Sequence, residues 1–181
     1  QTAFSIFNKK RSAYYADREK EKEENSTKKR ELLEQLKTIV AEEQVQKIQE
    51  VRELQTQWRA IGWVAQKDLQ ALSETYRQYL DIFYNLRSKY QELLDYDRKV
   101  NMDEKKKAIE EIESMIPTEE GITREEWTAR SATVKSIQEI WRTIGLVPRE
   151  SLEEINSAYR NVLERFYELR SSYFELQDQQ K

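Results

Sequence analysis

The side chains best suited to chemistry in this chain are arginines and tyrosines, and they come in matched sets. Arg59, Arg77 and Arg87 recur 83 residues later as Arg142, Arg160 and Arg170, and Arg11 supplies a third copy of the last pair. Tyr84 recurs as Tyr167, with Phe174 close by in the sequence. A guanidinium grips phosphate or carboxylate in a planar fork, and an aromatic ring stacks on a base. A repeated Arg/Tyr face built on Arg87, Arg170, Tyr84 and Tyr167 would therefore suit RNA, a ribosome or an acidic helix. A structural role competes with it. Arg87 follows the apolar Leu86 and precedes Tyr90 by three residues. Its stem can cover a core edge while its head meets a neighbouring helix.

Other chemistries are excluded by what is missing. The chain has no cysteine and no histidine, which removes thiolate nucleophiles, disulfides and the commonest general base and metal ligand. Three scattered glycines, Gly62, Gly121 and Gly145, cannot form a nucleotide-binding loop. The carboxylate pairs Glu42/Glu43, Glu119/Glu120 and Glu153/Glu154 are sequence neighbours. Neighbours on a helix do not share a face, so they do not converge on a substrate. No EF-hand spacing occurs. The expectation is a non-enzymatic chain with no cofactor and no metal. With 31 basic and 34 acidic residues the net charge is -3, so no global field draws nucleic acid.

The elements that position these residues follow from an internal repeat. Trp58-Arg59-Ala60-Ile61-Gly62-Trp63-Val64 returns as Trp141-Arg142-Thr143-Ile144-Gly145-Leu146-Val147. The register holds without a gap from Val51/Val134 to Leu94/Gln177, and Gln55/Gln138, Tyr76/Tyr159, Phe83/Phe166 and Tyr90/Tyr173 are identical. Glycine after an apolar helix end predicts a left-handed C′ position. That ending would fold Trp63 back on Trp58, and Leu146 on Trp141. Trp58, Gly62, Trp141 and Gly145 are accordingly expected to be structural anchors.

Each unit reads as three helices. In the first unit, Leu32, Leu33, Leu36, Ile39 and Val40 form one apolar stripe, and Ile48, Val51, Leu54, Trp58 and Ile61 a second. The third runs Leu69, Leu72, Tyr76, Tyr79, Phe83, Leu86, Tyr90 and Leu93 in alternating steps of three and four. A 3.5-residue period keeps one seam on a partner helix at a shallow angle. Asn25-Ser26-Thr27 is expected to cap the first helix, and Asn101 with Glu104 has capping-box spacing at the start of the second unit. No linker separates the units, however, and the alternative is a third helix that runs nearly straight into the next first helix. There, Pro117 to Gly121 predicts a turn, and Thr123 with Glu126 another capping box. The repeat interval grows from 76 to 83 residues, and the extra seven are expected mostly to lengthen the second helix. Trp127 lies in that extension without a counterpart. It either packs over the longer turn or marks an exposed contact.

Residues 1–24 align with the tail of a third helix, since Phe4, Phe7, Arg11 and Tyr14 match Leu80, Phe83, Arg87 and Tyr90. The expected architecture is all-α: elongated tandem three-helix, coiled-coil-like repeats, two full units plus the tail helix of a preceding one. The boundaries are 1–24, 25–100 and 101–181. The first residues carry no signal-peptide pattern, and a start on Gln1 reads as a fragment of a longer protein. No apolar run nears the roughly 20 residues that cross a membrane.

The pattern W-R-x-I-G-x-V, a turn near Pro148-Arg149-Glu150, and a long helix with Y-R and F-Y-x-L-R-S-x-Y resembles the bacterial helical-repeat family catalogued as domain of unknown function number 349. The first unit departs from the family pattern in having Ala65 where a proline is usual. The resemblance implies tandem three-helix repeats in a bacterial cytoplasmic protein with no established activity. The expected function is a scaffold for protein–protein interaction, with Tyr84, Tyr167 and Trp127 as candidate contacts; the alternative is RNA or ribosome binding through the repeated arginines. Self-association through the heptad seam is a third reading, and the oligomeric state is not fixed by the sequence.

Overall fold

The computed structural model describes residues 2–179, and within them every regular element is helical. α1 spans Ala3–Ala41, α2 Ile48–Ala60, α3 Gln66–Ser114, α4 Arg124–Thr143 and α5 Leu152–Gln179, with a short 3-10 turn at Arg149–Ser151. The chain divides into two compact units, Gln1–Gln91 and Glu92–Lys181.

The core of the first unit draws on three helical segments. Leu32, Leu33, Leu36 and Ile39 come from α1, Val51, Leu54 and Trp58 from α2, and Leu72 and Phe83 from α3. Their spacing on each helix is the three-and-four pattern of a single apolar face. In the second unit, Ala108 and Ile112 of α3 meet Trp127, Val134 and Ile137 of α4 and Val162 and Phe166 of α5. Phe83 and Phe166 are the largest fully buried side chains of their units.

Two expected helix starts are absent. α1 runs through Asn25-Ser26-Thr27, and the 49-residue α3 runs through Asn101. Neither stretch holds a proline or glycine, so nothing there breaks the backbone ladder. Asn25 and Ser26 are buried and spend their polar atoms on a distant loop, described below, rather than on a cap.

The connection between α3 and α4 behaves as its sequence indicates. Gly121 adopts φ 86°, and Thr123 and Glu126 form a reciprocal capping box at the start of α4. α4 has 20 residues against 13 in α2, so the seven-residue insertion lengthens this helix. The shorter α1–α2 turn, without glycine, places Glu43 at φ 50°.

Gly62 and Gly145 do not occupy the expected left-handed position. α2 and α4 end because Ile61 (φ -71°, ψ 129°) and Ile144 (φ -69°, ψ 131°) turn extended one residue earlier. The apolar residue after each glycine consequently does not fold back on its tryptophan. Trp63 is 76% exposed and Leu146 73%.

Candidate functional site

The corner between the second and third helix of each unit is where the repeated residues meet. In the first unit the chain leaves α2 at Ala60, turns extended at Ile61, passes Gly62 and Trp63 outside any regular element, buries Val64 and Ala65, and enters α3 at Gln66. The Asn25 side-chain amide donates to the Trp63 carbonyl at 2.8 Å, and the Ala65 N–H donates to Ser26 Oγ at 3.1 Å. In the second unit Asn101 donates to the Leu146 carbonyl, also at 2.8 Å. These bonds satisfy backbone groups that no ladder can reach.

The glycines make room for the asparagines. A Cβ at Gly62 would lie 3.3 Å from Asn25 Nδ2, and one at Gly145 only 2.8 Å from Asn101 Nδ2. Their role is close approach rather than a special φ. The result in both units is a corner whose backbone is tied to the first helix while a large apolar side chain, Trp63 or Leu146, projects to the surface.

Beneath the corner lies a repeated aromatic stack. Trp58 and Tyr76 are parallel at 4.0 Å between centroids, and Trp141 and Tyr159 at 3.8 Å. Lys29 Nζ sits 4.5 Å over Trp58, and Lys105 Nζ 4.6 Å over Trp141. Burial pushes both ammonium groups below the ordinary lysine range and raises the Tyr76 and Tyr159 phenols. Within the stack Trp58 is buried and Trp141 half-buried.

The arginines expected to form a binding face are used internally. Arg87 Nη1 donates to the Val45 carbonyl in the α1–α2 turn at 2.8 Å. Arg170 Nε donates to Ser131 Oγ at 2.9 Å and lies 4.9 Å from the centre of the Phe174 ring. Tyr84 and Tyr167 bridge the third helix to the second through Gln55 and Gln138, at 3.0 and 2.9 Å. Tyr84 stays exposed beside that bond and Tyr167 is half-buried. Trp127 is 4% exposed, its ring 5.7 Å from Phe166 and 5.9 Å from Tyr173, so it packs over the longer turn instead of forming a surface contact.

The sequence pattern assigned Asn25 and Asn101 to helix caps rather than to this corner, and gave Lys29 and Lys105 no role. The signal was present, since both pairs recur at the 76-residue interval that also relates Phe7 to Phe83. The first unit adds a polar cluster with no equivalent among the described residues of the second. Arg30 and Asp68 pair at 2.7 Å beside Ser26, and Lys67 pairs with Glu23 at 2.8 Å. Burial opposes the Asp68 charge, but hydrogen bonds from Arg30 and Ser26 and the charges of Arg30 and Lys67 reverse it and hold the carboxyl below its usual range. Among the described residues no three carboxylates gather closely enough to hold a metal ion, and no helix is long and apolar enough to cross a membrane.

Fold and corner together define an all-helical protein with an internally repeated helix-to-helix corner. The model of the family Domain of Unknown Function (DUF349) matches residues 1–67 and 71–150, and the chain belongs to that family. No curated protein and no solved structure matches it.

Proposed function

We propose that this chain is a non-catalytic scaffold, cytoplasmic in setting, that binds protein partners through its repeated corners. The observation that carries this reading is the exposure of Trp63 and Leu146 at equivalent positions. Each follows a glycine, and each has its own carbonyl held by an asparagine from the first helix. A large apolar side chain on a fixed backbone loses little freedom on binding, which favours its use as an anchor. Leu93 and Leu176 are also exposed at equivalent positions, but they lie on plain helix without such a tether.

The RNA reading relied on Arg87 and Arg170, and both spend donors on contacts inside their own units. No observation favours it over the scaffold. The test is affinity capture by the full chain with and without nuclease, quantified against the double variant Trp63→Ala/Leu146→Ala and a control Leu93→Ala. The scaffold reading expects nuclease-resistant partners whose capture falls at least about tenfold in the double variant and is kept in the control. Equal capture by all three proteins would remove the corner from consideration. Capture abolished by nuclease would return attention to the arginines.

A further inference from the structure

The three copies of one helical face differ in whether anything covers them. At the repeat intervals, Phe7 corresponds to Phe83 and Phe166, and Arg11 to Arg87 and Arg170. Phe83 is 1% exposed and Phe166 fully buried, whereas Phe7 is 59% exposed and Phe4 beside it is more open still. In both covered copies the cover is the two-helix hairpin of the same unit. Leu36, Val51 and Leu54 share the core with Phe83, and Ile112, Val134 and Ile137 share it with Phe166. The arginine four residues on lies on the same helix face. It donates to the hairpin each time, Arg87 to the turn carbonyl of Val45 and Arg170 to Ser131 of α4. Among the described residues Arg11 has no hydrogen-bond or ion-pair partner.

We propose that residues 3–14 of α1 are a docking face for a two-helix hairpin of the same kind as residues 25–60, contributed by a further repeat of this family. Phe4 and Phe7 enter its apolar groove, and Arg11 donates to an acceptor at or near its turn. The occupant follows from the two covered copies, which show what the Phe-x-x-x-Arg spacing receives. A second copy of this chain is the poorer fit, because its own hairpins are already covered by its α3 and α5. An apolar group without a donor-matched acceptor would leave Arg11 unanswered.

The repeat supplies its own probe. Because Gln1 corresponds to Arg77, a duplicate of residues 25–76 placed directly ahead of Gln1 continues a third helix into α1 in register. In this extended chain, hydrogen exchange of residues 4–14 should slow at least about tenfold relative to the original chain. Phe7→Ala should lower the unfolding midpoint of the extended chain and leave that of the original chain in place. Arg11→Ala should weaken the protection in the extended chain alone. Unchanged exchange at residues 4–14 overturns the proposal, whether the added hairpin folds elsewhere or not at all, since its intended cover was offered in register. Sedimentation of the original chain closes the remaining route: a dimer abolished by Phe7→Ala would give the face to a second copy and overturn the choice of occupant.

Discussion

The two units solve the same corner with different chemistry. The first closes it with polar groups: Ser26 accepts the Ala65 N–H, and Asp68, paired with Arg30, stands beside it. The second has Met102 where Ser26 stands, Pro148 where Ala65 stands and Ser151 where Asp68 stands. Proline has no N–H, so no acceptor is needed, and its fixed φ (-52°) leads directly into the 3-10 turn. Loss of the donor and loss of its acceptor go together. What both units keep is the asparagine tether, the Trp–Tyr stack with a lysine over it, and the Tyr–Gln bridge. The lesson is that the tether and stack define the corner, while the residue that starts the third helix is exchangeable provided every backbone donor is answered.

The largest effect should come from the shared core. Phe83→Ala and Phe166→Ala each remove a fully buried ring and should cost about 3–5 kcal/mol. Hydrogen exchange read peptide by peptide should place each loss in its own unit. A loss confined to one unit for both variants would mean that the cores are not equivalent.

Next comes the exchangeable part of the corner. Ser26→Ala orphans a buried N–H and should cost about 1–3 kcal/mol in urea unfolding. Adding Ala65→Pro removes the orphan and should recover much of that loss. If the double variant is less stable than the single one, the equivalence of the two solutions fails.

The glycines should then rank by approach. Gly145→Ala, with a Cβ at 2.8 Å, must displace Asn101 and should cost about 1–2 kcal/mol through the lost hydrogen bond. Gly62→Ala, at 3.3 Å, should cost less. The reverse order in thermal melts would return the argument to backbone conformation.

The smallest effect is a pH dependence of different origin in each unit. Asp68 is held low in the first unit as described, and Glu126 in the second by hydrogen bonds from the Thr123 backbone and hydroxyl. A depressed carboxyl stabilises the fold fully above its unfolded pKa of about 4, and that contribution disappears as the pH falls through the folded value. Between pH 6 and pH 3, Asp68→Asn should flatten the acid loss of protection in the first unit, and Glu126→Gln that in the second. Acid profiles unchanged by either substitution would show that these carboxylates carry no linkage.

Much of this was legible in the residues. Periodicity marked the helices, Pro117 and Gly121 their interruption, Thr123 and Glu126 the capping box, and the altered repeat interval the longer α4. The errors share a cause. Asn25 and Asn101 looked like helix starts because the residue type favours caps, and a cap is judged from the next three or four residues. Their actual partners lie 38 and 45 residues away. Trp127 could be assigned to the lengthened helix but not to the inside or outside of the turn above it.

The sequence by itself determined the helical class, the repeat and its register, because these depend on contacts within a turn or two of the chain. Tertiary structure alone decided that Gly62 and Gly145 serve close approach, that Arg87 and Arg170 turn inward, and that Trp63 and Leu146 face outward. Each of those outcomes depends on which distant donor, acceptor or side chain the packed helices bring together. A buried backbone group must be answered by whatever the fold brings within hydrogen-bond distance, and that is settled only when the helices pack.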